Sequence, residues 1–150
     1  MIKILFVCHG NICRSPMAEF LMKKMVADKG VADKFLIESA ATSTEELGNP
    51  VHYGTRKVLN KYSINCSNKR ARQIVRSDYD NYDYIIGMDR YNLRNMVRIF
   101  GEDKQNKLSL LLDHTSQPRD VADPWYTGDF SATEEDILNG CEAFLKKLKL

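Results

Sequence analysis

The sequence lacks a charge bias, a long apolar segment and an internal repeat. Its 22 Lys and Arg residues nearly balance 20 Asp and Glu residues, and the formal net charge of +2 is too small to indicate a nucleic acid or a membrane surface as the partner. The apolar start, MIKILFVC, is far shorter than the roughly 20 residues of a membrane span, and no signal-peptide cleavage region follows it. We therefore expect a cytoplasmic protein that has neither a nucleic acid nor a membrane as a partner.

The sequence has only four cysteines and no low-complexity segment. The four cysteines, Cys8, Cys13, Cys66 and Cys141, are better explained as free thiols than as a disulfide framework, because the sequence shows no secretory signal. With 43% hydrophobic and 28% charged residues, the composition is that of an ordinary globular protein. A chain of 150 residues can bury one core, so we predict a single domain over residues 1–150.

Short apolar runs alternate with helical patterns along the chain. The run IKILFV at 2–7 has the composition of a strand that is buried on both faces of a parallel sheet. Further strands are predicted at 35–40, 82–88 and 108–112, and further helices at 53–61, 74–77 and 91–99. A capping box of Ser131 and Glu134 indicates the start of the last helix. This alternation predicts the α/β class with a doubly wound parallel sheet.

The segment VCHGNICRSP, residues 7–16, connects the first predicted strand to the first predicted helix. Ser15 and Pro16 fit the N-cap and the first position of that helix. A loop between a strand and a helix N-terminus directs several backbone N–H groups into one concavity, at the sheet edge where α/β proteins bind ligands. Gly10 relaxes the backbone requirement, and Asn11 tolerates a left-handed conformation. The segment therefore predicts a phosphate-binding loop.

Cys8 and Arg14 have the spacing of a phosphoryl-transfer site within this loop. The N–H groups that attract phosphate also favour a thiolate, so we expect Cys8 to act as a nucleophile. Arg14 carries a planar guanidinium that can bind two phosphoryl oxygens at once. Ser15 can donate a hydrogen bond to the Cys8 sulfur as the thiolate leaves a phosphocysteine intermediate, and a plain N-cap is its alternative role.

A carboxylic acid is the remaining group that hydrolysis of a phosphomonoester needs, because it protonates the leaving oxygen. Residues 121–130, VADPWYTGDF, show no strong periodicity and predict a loop over the site. This loop holds Asp123 beside Trp125 and Tyr126. An Asp-Pro pair alone more often starts a turn, but with Cys-x5-Arg upstream Asp123 becomes the candidate acid. It would then act as the base toward the water that attacks phosphocysteine.

These segments together resemble the low-molecular-weight protein tyrosine phosphatases. The resemblance is carried, in order, by VCHGNICRSPMAE at the N-terminus, ESAATS at 38–43, ARQI at 71–74, DYIIGMD at 83–89 and DPWY at 123–126. It implies a four-stranded parallel sheet flanked by helices, with the phosphate-binding loop between strand 1 and helix 1. It further implies hydrolysis of phosphotyrosine through phosphocysteine, without metal or cofactor, and small aryl phosphates as surrogate substrates. Inorganic phosphate or vanadate would then be competitive inhibitors.

The resemblance also assigns roles by position. Cys8 matches the nucleophile, Arg14 the phosphate clamp and Asp123 the general acid and base, while Ser15 matches the thiolate partner. The asparagine that holds the loop's shape corresponds to Asn11, with Ser39 as its neighbour. The residues placed against the substrate are His9, Gly10, Asn11, Ile12, Cys13, Trp125 and Tyr126. Ile12 favours phosphotyrosine, because relatives that act on phosphoarginine tend to have threonine there.

Three positions depart from the pattern of the family. His9 stands where many relatives have an apolar residue, Lys69 where many have a histidine, and Glu45 where eukaryotic relatives often have an aromatic wall residue. These changes affect the expected substrate preference rather than the chemistry. The basic stretch NKRARQIVR at 68–76 predicts a solvated helix face, or a surface that steers an anionic phosphopeptide.

Several alternatives concern the cysteines. Cys13 is either a redox partner that forms a disulfide with Cys8, or a small buried side chain. An arsenate reductase of the same fold needs a further redox cysteine pair, for which only the widely separated Cys66 and Cys141 remain. A non-catalytic phosphopeptide-binding module would be expected to lose Cys8 or Asp123. A metal site is disfavoured, because the remaining cysteines have no neighbouring ligand of their own.

Overall fold

Four parallel strands form one sheet in the spatial order β2-β1-β3-β4. The computed structural model describes residues 1–150, and the strands are β1 (Ile2–Cys8), β2 (Phe35–Ala41), β3 (Tyr84–Gly87) and β4 (Leu108–Leu110). The helices are α1 (Arg14–Asp28), α2 (Tyr53–Asn60), α3 (Asp78–Asn81), α4 (Arg90–Phe100), α5 (Pro124–Thr127) and α6 (Phe130–Lys147). Two 3-10 turns lie at Ala32–Lys34 and Leu111–His114. The predicted α/β fold with a four-stranded, all-parallel sheet is confirmed.

Strand β1 lies inside the molecule because helices cover both faces of the sheet. Ile4 and Phe6 point to the larger apolar cluster, which contains side chains of α1 and α6. Leu5 and Val7 point to the smaller cluster, which contains Met96 of α4. Successive strand side chains alternate between faces, so a strand covered on both sides has a continuous apolar sequence.

The other predicted strands and helices differ from the structure mainly at their ends. The predicted strand at 82–88 is shortened to β3, and the one at 108–112 ends at Leu110, directly before the 3-10 turn that begins at Leu111. The predicted helix at 74–77 is wrong, because the helical turn α3 starts at Asp78. The carboxylate of Asp78 accepts from the N–H of Val75 at 2.8 Å and so holds the chain before α3 in a turn.

The basic stretch at 68–76 is not a helix face. Gln73 forms a parallel bridge with Ala41 at the end of β2, and Arg70 forms an antiparallel bridge with Pro50. Arg72 is bound to Asp78 through its guanidinium at 3.0 Å. The prediction of a solvated helix is therefore wrong, because the backbone of this stretch pairs with strand β2 and the 49–51 segment instead.

In both helices the N-cap lies two residues before the predicted one, at Cys13 instead of Ser15 and at Asp129 instead of Ser131. Helix α1 has Cys13 at its N-cap and contains Ser15 in its first turn, so the N-cap role of Ser15 is wrong. At α6 the N-cap is Asp129, whose carboxylate accepts from the N–H of Ala132 at 3.0 Å. Glu134 does not complete a capping box, since its carboxylate binds the side chains of Lys61 and Tyr62 at the end of α2.

None of the helices combines the length and the apolar character that crossing a membrane requires.

The loop predicted at 121–130 contains the single-turn helix α5, which starts at Pro124 and is followed by Gly128 in a left-handed conformation at φ 70°. This short helix shapes the segment that stands over the carboxyl ends of β1 and β3.

Candidate active site

The loop between β1 and α1 wraps around the sulfur of Cys8. Cys8 ends β1 and is almost fully buried. The N–H of Asn11 donates to its Sγ at 3.3 Å, and Oγ of Ser15 lies 3.0 Å from the same atom. Two polar groups thus converge on the thiol at the carboxyl edge of the sheet and at the start of α1, where negative charge is stabilised.

Asn11 and Gly10 are suited to the tight loop for different reasons. Asn11 has φ 60°, the left-handed conformation that asparagine tolerates better than most residues. Gly10 is not in that conformation, and the reason for glycine is the approach of a neighbour. A Cβ atom at Gly10 would lie 3.3 Å from Cγ of Glu46. A side chain at position 10 would therefore have to displace that of Glu46 by a few tenths of an ångström, and no positive φ restricts the position to glycine.

The side chain of Asn11 connects the loop to β2. Its Nδ2 donates to Oγ of Ser15 at 2.8 Å and to Oγ of Ser39 at 2.9 Å, which uses both amide hydrogens. Its Oδ1 accepts from the N–H of Arg72 at 3.3 Å. Ser39 in turn donates to Oε1 of Glu19 at 2.6 Å. The structure therefore brings Asn11 and Ser39 together, as the resemblance implied.

Lys69 takes part in the same buried network. Its Nζ donates to the carbonyl of Ser39 at 2.7 Å and lies 3.5 Å from Oε1 of Glu19. Glu19 also binds Lys23 at 2.6 Å. Burial lowers the pKa of Lys69, and the nearby charge of Glu19 acts against this effect. Lys69 is thus an internal member of the network and not a free cation that could steer a substrate.

Arg14 is 3% exposed and is held between carboxylates. Its Nη2 lies 2.8 Å from Oδ2 of Asp89 and 3.3 Å from Oδ2 of Asp123, and its Nη1 donates to the carbonyl of Val121 at 3.1 Å. Burial alone would lower the pKa of Arg14, but the charges of Cys8, Asp123 and Asp89 raise it overall. The guanidinium therefore stays charged beside the thiol.

Asp89 was not selected from the sequence. It follows β3 at the carboxyl edge of the sheet and is the N-cap of α4, where its Oδ1 accepts from the N–H of Asn92 at 2.8 Å. Its other oxygen binds Arg14. The sequence does show an aspartate directly after a predicted buried strand, at the end of the segment DYIIGMD. Ligand-binding residues of α/β proteins lie at this position, beyond the carboxyl ends of the strands.

Asp123 is the N-cap of α5 and its carboxylate faces Arg14. Its Oδ1 accepts from the N–H of Trp125 at 3.1 Å, and its Oδ2 faces Arg14. Its side chain is about one quarter exposed. The carboxylate is therefore oriented toward the phosphate loop and remains in contact with solvent, and the structure brings together the four residues Cys8, Arg14, Ser15 and Asp123.

Aromatic side chains form a wall beside Asp123. Trp125 and Tyr126 are 64% and 85% exposed. The ring of His52 stacks on Phe130 at a centroid distance of 5.4 Å and meets Trp125 edge-on at 6.3 Å. The backbone N–H of His52 also donates to the carbonyl of Ile12 at 2.8 Å. His52 was missed because no sequence motif marks it, although it joins the phosphate loop to the aromatic wall.

His9, in the loop after β1, and Glu45, in the segment after β2, form an exposed polar rim. Nε2 of His9 lies 2.8 Å from Oε2 of Glu45, and both side chains are largely exposed. The carbonyl of His9 accepts two hydrogen bonds from Ser43, one from its hydroxyl at 2.9 Å and one from its backbone N–H at 3.1 Å. These two departures from the family pattern are therefore paired with each other. Together they place polar groups on this rim.

Cys13 is buried behind the loop. Burial raises the pKa of its thiol to about 12, with further contributions from the negative charges of Cys8 and Asp123. All four cysteines are free thiols. Cys66 and Cys141 are buried in the larger apolar cluster, and burial raises the pKa of each. No group of three His, Cys, Asp or Glu side chains is arranged to hold a metal ion.

A parallel α/β sheet with a Cys-x5-Arg loop at its carboxyl edge and an aspartate facing Arg14 is the arrangement that the resemblance to tyrosine phosphatases implied. The family model described as "Low molecular weight phosphotyrosine protein phosphatase" matches residues 3–150. The chain belongs to this family and is a phosphoric monoester hydrolase of the protein tyrosine phosphatase type.

Individual relatives agree with this assignment. The chain is 40% identical to low molecular weight protein-tyrosine-phosphatase YfkJ of Bacillus subtilis, over 99% of this chain and 97% of the relative. It is 42% identical to the low molecular weight phosphotyrosine protein phosphatase of Rattus norvegicus, over 96% of this chain and 94% of the relative. The crystal structure of YfkJ superposes with a TM-score of 0.95 at 39% identity, covering 99% of this chain and 95% of that chain.

Proposed function

We propose that the protein hydrolyses phosphotyrosine in proteins and peptides, and small aryl phosphates, through a phosphocysteine intermediate. The observation that carries this proposal is the convergence on one loop of the Cys8 thiol, the buried guanidinium of Arg14 and the carboxylate of Asp123. The reaction needs a nucleophile, a clamp for the phosphoryl oxygens and a proton donor for the leaving group. These three side chains supply one group each.

In the first step the Cys8 thiolate attacks phosphorus. The P–S bond forms as the P–O bond to the tyrosyl oxygen breaks, and Asp123 gives its proton to that oxygen. Arg14 and the N–H groups of the loop bind the equatorial phosphoryl oxygens, where charge is stabilised best if the donors are already in place. Asp89 supports this step because it holds Nη2 of Arg14 at 2.8 Å.

In the second step water attacks phosphocysteine. Asp123, now a carboxylate, takes a proton from the water, the P–O bond forms and the P–S bond breaks. The Cys8 thiolate leaves with a hydrogen bond from the hydroxyl of Ser15, which lies 3.0 Å from its sulfur. Inorganic phosphate is released and Asp123 is protonated again. Phosphate and vanadate should compete with substrate because they occupy the same cradle.

The exposed aromatic side chains beside Asp123 support an aryl phosphate as substrate. Trp125 and Tyr126 follow Asp123 in the chain and are largely exposed, so the ring of a phosphotyrosine could pack against them. Ile12 at the loop supports phosphotyrosine over phosphoarginine. Arsenate reduction lacks support, because Cys66 and Cys141 are both buried in the core and offer no accessible thiol pair.

A substrate panel tests this function. We expect kcat/KM to be highest on phosphotyrosine peptides, with phosphoarginine and phosphoserine peptides of the same sequence well below, and no reduction of arsenate in the presence of thiols. The matched control is Cys8→Ser, which should abolish turnover on every substrate. A higher kcat/KM on phosphoarginine, or arsenate reduction that needs Cys66 or Cys141, would overturn the proposal.

A further inference from the structure

Ala122, the residue before Asp123, has both of its backbone polar groups bonded to side chains of α6. Its N–H donates to Oδ2 of Asp136 at 3.0 Å, and its carbonyl accepts from Oγ1 of Thr133 at 2.8 Å. Thr133 and Asp136 are three residues apart and therefore lie on one face of the helix. Both are buried. Helix α6 thus holds the main chain immediately before the candidate acid.

Asp136 is itself held by Arg119. The two guanidinium nitrogens Nη1 and Nη2 donate to Oδ2 and Oδ1 of Asp136 at 2.9 Å and 2.6 Å. A bidentate pair of this kind fixes the orientation of a carboxylate as well as its charge. Since Oδ2 accepts from both Arg119 and Ala122, the carboxylate of Asp136 cannot rotate without losing one of these bonds.

The rest of the segment is bound on its other side. The N–H of Val121 donates to the carbonyl of Met88 at 2.9 Å, and the carbonyl of Val121 accepts from Arg14 at 3.1 Å. Val121 is therefore bound to Met88, directly after β3, and to Arg14 at the start of α1, while Ala122 is bound to α6. The main chain that leads into Asp123 is thus held on both sides, and the Asp123 carboxylate itself lies against the N–H of Trp125 and Nη2 of Arg14.

We propose that Thr133 and Asp136 are positioning residues for Asp123. This inference rests on the proposed role of Asp123 as the general acid. Proton transfer requires the acid to lie within hydrogen-bond reach of the leaving oxygen, and a displacement of about 1 Å can cost about 10²-fold in rate. Thr133 and Asp136 contact neither Cys8 nor Arg14. Their loss should therefore impair protonation of the leaving group and leave the thiol and the phosphate cradle intact.

The test is the single-turnover rate of phenol release from aryl phosphates whose leaving groups differ in basicity. Thr133→Val removes the hydroxyl at constant shape and should slow release from phenyl phosphate about 5- to 10-fold, a part of the acid's full effect of about 10²- to 10⁴-fold. Release from 2,4-dinitrophenyl phosphate needs no proton and should change less than about twofold. Asp136→Ala should act in the same direction. Inhibition by inorganic phosphate should stay unchanged.

Conservative variants separate positioning from a general loss of structure. Thr133→Ser keeps the hydroxyl and should recover most of the rate on phenyl phosphate. Asp136→Asn keeps one acceptor for the N–H of Ala122 but loses the bidentate pair with Arg119, so its rate should lie between those of Asp136→Ala and the wild type. Glu135→Gln, on the exposed face of α6 between them, is the control for a charge change that does not touch Ala122. If Asp136→Ala does not fold, the Thr133 pair alone carries the test.

Equal losses on both aryl phosphates, or a Thr133→Val enzyme with the wild-type dependence on leaving group, would overturn the positioning role. Asp123→Ala is measured alongside. If Asp123→Ala steepens the dependence on leaving group and Thr133→Val does not, only the positioning role fails. If Asp123→Ala leaves that dependence unchanged, the acid role fails, and the positioning role fails with it.

Discussion

The hydroxyl of Ser15 has one hydrogen to donate, and Asn11 determines where it goes. Nδ2 of Asn11 donates to Oγ of Ser15 at 2.8 Å, so a lone pair of the serine is occupied and its hydrogen is free for Sγ of Cys8 at 3.0 Å. Sequence patterns left an N-cap and a thiolate partner as alternative roles for Ser15. The position inside α1 and the contact with Asn11 exclude the first and support the second.

We expect Cys13 to react with Cys8 only after Cys8 has been oxidised. Burial, followed by the charge of Cys8, raises the pKa of Cys13 to about 12, so Cys13 stays a thiol at neutral pH. Peroxide that converts the Cys8 thiolate to a sulfenic acid removes that charge. Attack by the Cys13 sulfur on the sulfenic acid would then form a disulfide and release water, which protects Cys8 from further oxidation.

Oxidation and recovery test this role at the level of one residue. Mild peroxide should inactivate the wild-type enzyme, and a thiol reductant should restore most of the activity because the disulfide is reducible. The Cys13→Ser variant should be inactivated equally but recover poorly, since its sulfenic acid proceeds to irreversible sulfinic acid. Cys66→Ser is the matched control and should recover like the wild type. Equal recovery in Cys13→Ser would contradict the redox role.

At the scale of elements, α6 connects the core to the segment that bears Asp123. Its N-terminal half holds Ala122 through Thr133 and Asp136. Further along the helix, Gly140 packs on the 3-10 turn that follows β4. A Cβ atom at Gly140 would lie 2.4 Å from Cγ of Leu111, which is fully buried. The absence of a side chain there lets the helix approach the turn closely.

Gly140→Ala tests whether this close approach is needed. Alanine favours a helix over glycine by about 0.5–1 kcal/mol, but overpacking a core costs about 1–3 kcal/mol. We expect a net loss of about 1–2 kcal/mol in the free energy of unfolding by urea. Asn139→Ala, at the exposed neighbouring position, is the control and should change stability by less than about 0.5 kcal/mol. A Gly140→Ala protein more stable than the wild type would show that Leu111 yields at no cost.

At the scale of the whole molecule, local patterns predicted the fold and the loop but not the long-range contacts. The apolar run of β1 and the alternation of strands and helices gave the parallel sheet, because burial on both faces dictates such runs. Cys8 and Arg14 lie on one continuous segment, so their spacing was visible. The contact of Asp89 with Arg14 joins distant segments, and no local pattern reports such a pairing.

The predicted start of α6 and the predicted helix face at 68–76 were wrong for a related reason. The Ser131 capping box was a sound local pattern, but Asp129 caps α6 instead. Glu134 is used by Lys61 and Tyr62 from another helix. The basic stretch at 68–76 was expected to be a solvated helix face, but it forms bridges to Ala41 at the end of β2 and to Pro50 instead. Tertiary contacts override weak local preferences at these places.

The proposed mechanism requires Cys8 to carry the phosphoryl group during hydrolysis. A rapid acid quench of the enzyme with ³²P-labelled phosphotyrosine peptide, followed by peptide mapping of the label, tests this step directly. We expect a covalent phosphoryl group on Cys8 that forms within the first turnover and decays to inorganic phosphate, and no label on the Cys8→Ser protein. Steady turnover without a phosphoenzyme, or label on a residue other than Cys8, would contradict it.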